Sequence, residues 1–223
     1  MHLRSKAFSF ISLLSAALLM LFISCSQNLP EAYSTDYSVI FDYSDEASAP
    51  EARLSVFSAS SSDVRRYQKI QITSLETGYI WETDYLVQMQ SDDTQWIGCT
   101  NLAAPEDEKL PVGTYEIVFY NADEKECKLR LEVNYDAAFY DVLLPALPQL
   151  MKEKHGIEKI AVYDTDHILI YFGERTKEFQ TTRDIWNRYR DATTYQIIWY
   201  TQDGSVICIT PEKEVTPEAE SVE

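Results

Sequence analysis

LPVGTYEIVFYNADEKECKLRLEV, residues 110–133, is the stretch on which the fold turns. In GTYEIVFYN the charged Glu116 belongs in water, so the two-residue period of a strand sends Tyr115, Ile117 and Phe119 to the other face. In ECKLRLEV the charges of Lys128, Arg130 and Glu132 face out, and Cys127, Leu129, Leu131 and Val133 face in. The polar run from Asn121 to Lys125 between them holds the residues that turns prefer. Two alternating strands joined by a short polar turn describe an antiparallel hairpin with one wet face and one buried face.

The same pattern extends back toward Tyr37. Strands are predicted at 37–43, 52–59, 67–74, 78–83, 85–90, 95–100, 113–121 and 126–133. Turn signals recur roughly every 8–15 residues, which suits an all-β sandwich. Composition agrees, with 15 Tyr, 9 Phe and 4 Trp against only 6 Gly. The entry Leu110-Pro111-x-Gly113-x-Tyr115 resembles the penultimate strand of immunoglobulin-like and fibronectin-like modules. The resemblance covers some two dozen residues. It implies an immunoglobulin-like antiparallel β-sandwich over 37–134, and no particular function, because such folds host many.

Beyond Asp136 the period changes. AFYDVLLPALPQLMKEKHG carries Val142, Leu143, Leu147, Leu150 and Met151 at helical spacing, with Pro145 and Pro148 limiting where a helix can begin. EKIAVYDTD and HILIYFGE then read as a hairpin turning at Thr165-Asp166. A second helix fits 177–191, with Phe179, Ile185, Trp186 and Tyr189 on its apolar side, and TYQIIWYTQ and SVICIT form a second hairpin turning at Asp203-Gly204. Helix–hairpin–helix–hairpin is thus a small α+β module over 135–210, with a four-stranded antiparallel sheet and an apparent repeat of about 37 residues that sets Ile160 on Ile197. The fold class is mainly β with α+β. Residues 211–223, acidic and aperiodic, read as a disordered tail.

Strand alternation divides that C-terminal sheet into two apolar faces. One collects Tyr163, Ile168, Ile170, Phe172, Ile198, Tyr200, Ile207 and Ile209, and the other Ile160, Val162, Leu169, Tyr171, Ile197, Trp199 and Val206. Two helices can cover the first. The second is then buried by the sandwich, or left as an interface for a partner, ligand or second copy through Leu169, Tyr171 and Trp199.

At the start of the chain, Arg4 and Lys6 precede a run from Phe8 to Ile23 that only serines interrupt, and no acidic residue appears before Glu31. A spanning helix needs roughly 20 apolar residues, whereas the core of an export signal has roughly 7–15. The closing Leu21-Phe22-Ile23-Ser24-Cys25 resembles the lipobox of bacterial lipoprotein precursors, although Phe22 stands where Leu is usual. The resemblance covers the first 25 residues. It implies a signal peptide over 1–24, cleavage after Ser24, lipid on Cys25, a tether over 25–36 and a place in the bacterial cell envelope. Ser26 and Gln27, with no Asp after the cysteine, lean toward the outer membrane. The alternative is an uncleaved helical anchor.

The chain carries 36 acidic and 19 basic residues, a net charge of −17. Loss of Arg4 and Lys6 would bring it to about −19. Such a charge repels nucleic acid and anionic lipid, and favours solubility, a basic partner or a divalent cation. Beyond Cys25, Cys99 and Cys127 both fall on inward faces. Either they form a disulfide or they are two buried thiols, with Cys208 left over as a small apolar residue.

Chemistry is hard to find. His155 and His167 lie in no recognisable nucleophile context, and the sequence holds no Walker loop, dinucleotide glycine set, Cys-x-x-Cys or His-Glu-x-x-His. Asp164, Asp166 and His167 at a hairpin tip could hold a divalent ion, but tips favour Asp for turn hydrogen bonds in any case. Asp92-Asp93 and Glu106-Asp107-Glu108 lack the alternating spacing of a calcium loop. No cofactor is expected. The expectation is a membrane-anchored lipoprotein with a non-catalytic binding or scaffold role, with another envelope protein as the candidate partner. The alternative is an envelope hydrolase acting on glycans through paired carboxylates.

Overall fold

The computed structural model describes residues 31–105 and 108–217. The signal segment and Cys25 lie outside the described residues, as do Glu106, Asp107 and the last six positions. No described helix is long and apolar enough to cross a membrane.

The chain is mainly β. In order come β1 (Ala32–Asp42), β2 (Glu51–Ser60), β3 (Tyr67–Ser74), β4 (Ile80–Thr83), β5 (Val87–Ser91), β6 (Thr94–Ala103), β7 (Gly113–Asn121) and β8 (Glu126–Val133). Then follow helix α1 (Leu147–Glu153), β9 (Ile157–Asp164), β10 (Leu169–Glu174), helix α2 (Thr182–Arg188), β11 (Ala192–Tyr200), β12 (Val206–Ile209) and β13 (Lys213–Glu214). The two helices have seven residues each. Pro145 and Pro148 break the first helical pattern into 3-10 turns at Ala137–Tyr140 and Leu144–Ala146 before α1 begins. α2 starts on a capping box in which the Thr181 hydroxyl and the Asp184 carboxylate satisfy each other's backbone N–H.

Among the described residues the strands form two sheets. The smaller, β4-β3-β7-β8, is antiparallel throughout, and the 110–133 hairpin is its edge pair. The larger runs β10-β9-β11-β12-β1-β2-β6-β5, with β13 also pairing β11. All its pairs are antiparallel except one. β12 lies parallel to β1, with Val206 to Ile209 opposite Val39 to Asp42. That junction corrects the expectation of a freestanding C-terminal sheet. The second half of β1 offers an unpaired backbone edge, and Val206 and Cys208 enter the same apolar core as Val39 and Phe41. Pairing there satisfies backbone groups and buries side chains at once.

Two further boundaries move. Residues 32–36, expected as tether, pair with Phe57 to Ser60 as the first half of β1. Residues 211–216, expected as disordered tail, bend back along β11. Lys213 and Glu214 pair with Tyr195 and Thr194, the Val215 N–H donates to the Thr193 carbonyl at 2.8 Å, and Val215 packs on the adjacent core. The single apolar residue in an acidic run suffices to dock it.

The inner faces of the two sheets share one core. Val39, Phe41, Leu54, Val56 and Ile97 of the large sheet meet Ile70, Ile72, Tyr115, Ile117 and Phe119 of the small one. Phe139, Leu147 and Met151 join them. A second core lies farther along the large sheet, where Phe179 and Ile185 cover Ile160, Val162 and Tyr195. The aligned pair Ile160 and Ile197 turn out to be cross-strand partners, β9 against β11.

Candidate functional site

The register of the large sheet decides which residues are core and which are surface. Val162 stands opposite Tyr171 and Tyr195, Ile160 opposite Ile197, Trp199 opposite Cys208, and Cys208 opposite Phe41. Alternation therefore puts Tyr171, Val162, Ile160, Ile197, Trp199, Val206 and Cys208 on the inner face. Tyr171 stacks on Phe179 with ring centroids 4.4 Å apart, and Trp199 packs against the main core. Of the two alternatives for this face, burial or an open interface, the structure shows both residues half-buried and packed against the cores. Leu169 was placed with them and lies elsewhere: a bulge between Leu169 and Tyr171 puts Leu169 opposite Tyr163, on the outer face. A bulge adds one residue to one strand and so flips every side chain before it.

The small sheet and the α2 region both cover the inner face, so the expectation that the helices cover the other face fails, and the outer face is the open one. It carries Phe172 from β10, Ile157, Lys159 and Tyr163 from β9, Ile198 and Tyr200 from β11, Ile207 and Ile209 from β12, and Ile40 from β1. None of these joins either core. Phe172 is 49% exposed and Ile157 37%, while the β11 and β12 residues are half-buried by one another. Lys159 sits in the middle, its ammonium 5.2 Å from the ring centres of both Phe172 and Tyr200. An antiparallel sheet with one covered face normally shows polar residues on the other. A contiguous, mostly apolar ladder over five strands does not belong to that pattern, and it is the property of a surface that meets something.

Cys99, Cys127 and Cys208 are separate thiols in the structure. Cys99 lies opposite Val56 in the large sheet. Cys127 sits on β8 of the small one, where its Sγ accepts the Ala32 N–H at 3.4 Å. Both face inward, but from different sheets, and Cys127 is occupied with the start of β1. Burial pushes the Cys99 and Cys208 thiols up to about 12.

The acidic and histidine candidates have local employment. Asp164 Oδ1 accepts the N–H groups of Asp166 and Ile168, closing the hairpin turn, and His167 Nε2 lies 2.9 Å from Glu212. Among the described residues no three His, Cys, Asp or Glu side chains gather as a metal site would require. A cleft of about 580 Å³ opens between the β11–β12 turn and the Ala137–Tyr140 segment, lined by Tyr135, Asp136, Lys154, Thr201 and Asp203. Its polar groups are committed to each other. The Lys154 ammonium beside Asp136 lowers that carboxyl below the usual range, and hydrogen bonds from Thr201 and Ser205 do the same for Asp203.

Compared with known proteins, the chain matches no family model, no curated protein and no solved structure.

Proposed function

We propose that the protein is a lipid-anchored bacterial envelope protein with a non-catalytic binding or scaffold role, exerted through the outer face of its large sheet. The observation that carries the reading is the apolar ladder Phe172, Ile198, Tyr200, Ile207 and Ile209, with the single charge of Lys159 set among them, all outside both cores. The anchor rests on the first 25 residues, where a basic start, an apolar run and Ser24-Cys25 stand in the order of a lipoprotein signal. Two or more acyl chains hold a protein stably at a membrane, while one gives only marginal binding.

An immunoglobulin-like fold for the first half belongs to the same proposal. The orders β1-β2-β6-β5 and β4-β3-β7-β8 support it, because they follow the A-B-E-D and C′-C-F-G arrangement of such sandwiches. So does the Tyr115 hydroxyl, which donates to the Pro111 carbonyl at 2.6 Å in the manner of a tyrosine corner. In this reading the C-terminal strands extend the first of those sheets past strand A, and the extension widens the binding face.

Two measurements test the proposal separately. Cys25→Ser should abolish incorporation of labelled fatty acid and leave a larger precursor; unchanged labelling would remove the anchor. A photo-crosslinking residue at Tyr200 or Phe172 should give a discrete adduct in living cells, and the same residue at Lys128, on the outer face of the small sheet, should give none. Equal smears from all three positions would remove the binding face.

A further inference from the structure

The outer face of the large sheet holds a second feature, on the β5–β6–β2–β1 side and away from the ladder. Phe57, Met89 and Trp96, with Asp36, Ser55 and Ser91, line a groove of about 270 Å³. Its floor is made by the Phe57 ring. Gly98 stands opposite Phe57 in the β2–β6 pair, and a Cβ there would lie 2.9 Å from Phe57 Cδ1 and 2.0 Å from the Val56 carbonyl oxygen. Only glycine leaves the ring room to lie against β6. Met89 and Trp96 are cross-strand partners and form one wall. Asp36, opposite Phe57 on β1, supplies the carboxylate at the other side.

We infer that this groove binds an organic cation on a short apolar stem, an alkylammonium or guanidinium group such as a lysine or arginine side chain carries. Three observations select that class. The described groove lining contains no Lys or Arg, so an anion would find one carboxylate and no counter-charge. Asp36 makes no ion pair or side-chain hydrogen bond among the described residues, so its carboxylate at the groove's edge is left for a cation. Aromatic faces attract cations, Trp most of all. The chain uses that attraction elsewhere, with the Arg190 guanidinium 3.5 Å above the Trp186 ring and Lys159 between Phe172 and Tyr200. The net charge of −17 draws cations to the surface as a whole. The inference is independent of what meets the ladder, since none of the groove residues named belongs to it.

The test is a titration of the purified full-length protein with N-acetyl-arginine amide and with its citrulline counterpart, which keeps the shape and lacks the charge. Amide chemical shifts on β2 and β6 and Trp fluorescence serve as readouts. The expected result is saturable shifts confined to the groove, citrulline binding at least roughly tenfold weaker, and affinity falling with salt. Asp36→Asn should cost roughly tenfold, Trp96→Ala should abolish binding, and Trp96→Phe, which keeps an aromatic wall and guards against misfolding, should retain most of it. Spermidine and an arginine-bearing peptide form two further arms: tighter spermidine binding assigns a free polyamine, tighter peptide binding a protein side chain. Citrulline binding as well as arginine, an unchanged Asp36→Asn affinity, or no groove shifts at millimolar ligand would each overturn the inference.

Discussion

At the scale of the residue, the thiols carry the sharpest expectation. Cys99 and Cys208 are buried and shifted far toward the protonated form, whereas Cys127 is partly accessible on an edge strand. A thiolate is the reactive species, so alkylation of the native protein near pH 8 should label Cys127 first and leave Cys99 and Cys208 unlabelled until denaturant is added. Peptide mapping under non-reducing conditions should find no Cys99–Cys127 link. Finding one would mean that β6 and β8 approach more closely than described. The inward orientation of Cys99 and Cys127 was legible from strand alternation. What alternation does not reveal is which sheet a strand joins, and that decides whether two inward cysteines face each other or lie apart. Tyr115 shows the opposite case. Its inward placement was readable from the alternation with Glu116, and the ring is fully buried in the shared core.

At the scale of the element, all eight strands before Asn134 lie where alternation places them, with ends shifted by a few residues at most positions. Hairpins were equally legible: Asp203-Gly204 sits in the β11–β12 turn, where Gly204 takes φ +73°. Two elements were not legible, for physical reasons. β13 has two residues, too few for any period, and its docking depends on Val215 meeting a core that only tertiary structure creates. The bulge in β10 leaves no compositional mark and reverses the placement of Leu169. The tail makes a direct test. Truncation after Thr210 removes the β11 pairing and the Val215 contact, and should lower stability by about 1–2 kcal/mol. Truncation after Pro217 keeps both contacts and serves as the reference. If urea unfolding gives equal midpoints for both truncations and the full chain, β13 is not docked in solution.

At the scale of the whole molecule, the sequence shows two apolar faces on the C-terminal strands, and the expectation that the helices cover the first gives way to the opposite choice. The choice falls out of the parallel join between β12 and β1, which is a long-range event with no local signal. Once Val206 and Cys208 are drawn into the core between the two sheets, every residue in phase with them turns inward, and every residue out of phase turns to the other face. The large sheet then has one face that meets the small sheet and the α2 region, and one that is free to meet a partner. Trp199 and Tyr200 are neighbours in sequence on opposite faces, so comparing them isolates that assignment. Chemical unfolding of Trp199→Ala and Tyr200→Ala is the decisive measurement. Trp199→Ala should lose about 3 kcal/mol through the cavity left in the main core, and Tyr200→Ala should stay within about 1 kcal/mol of the parent. A larger loss from Tyr200→Ala than from Trp199→Ala would contradict the assignment and close the face on which the proposed binding role depends.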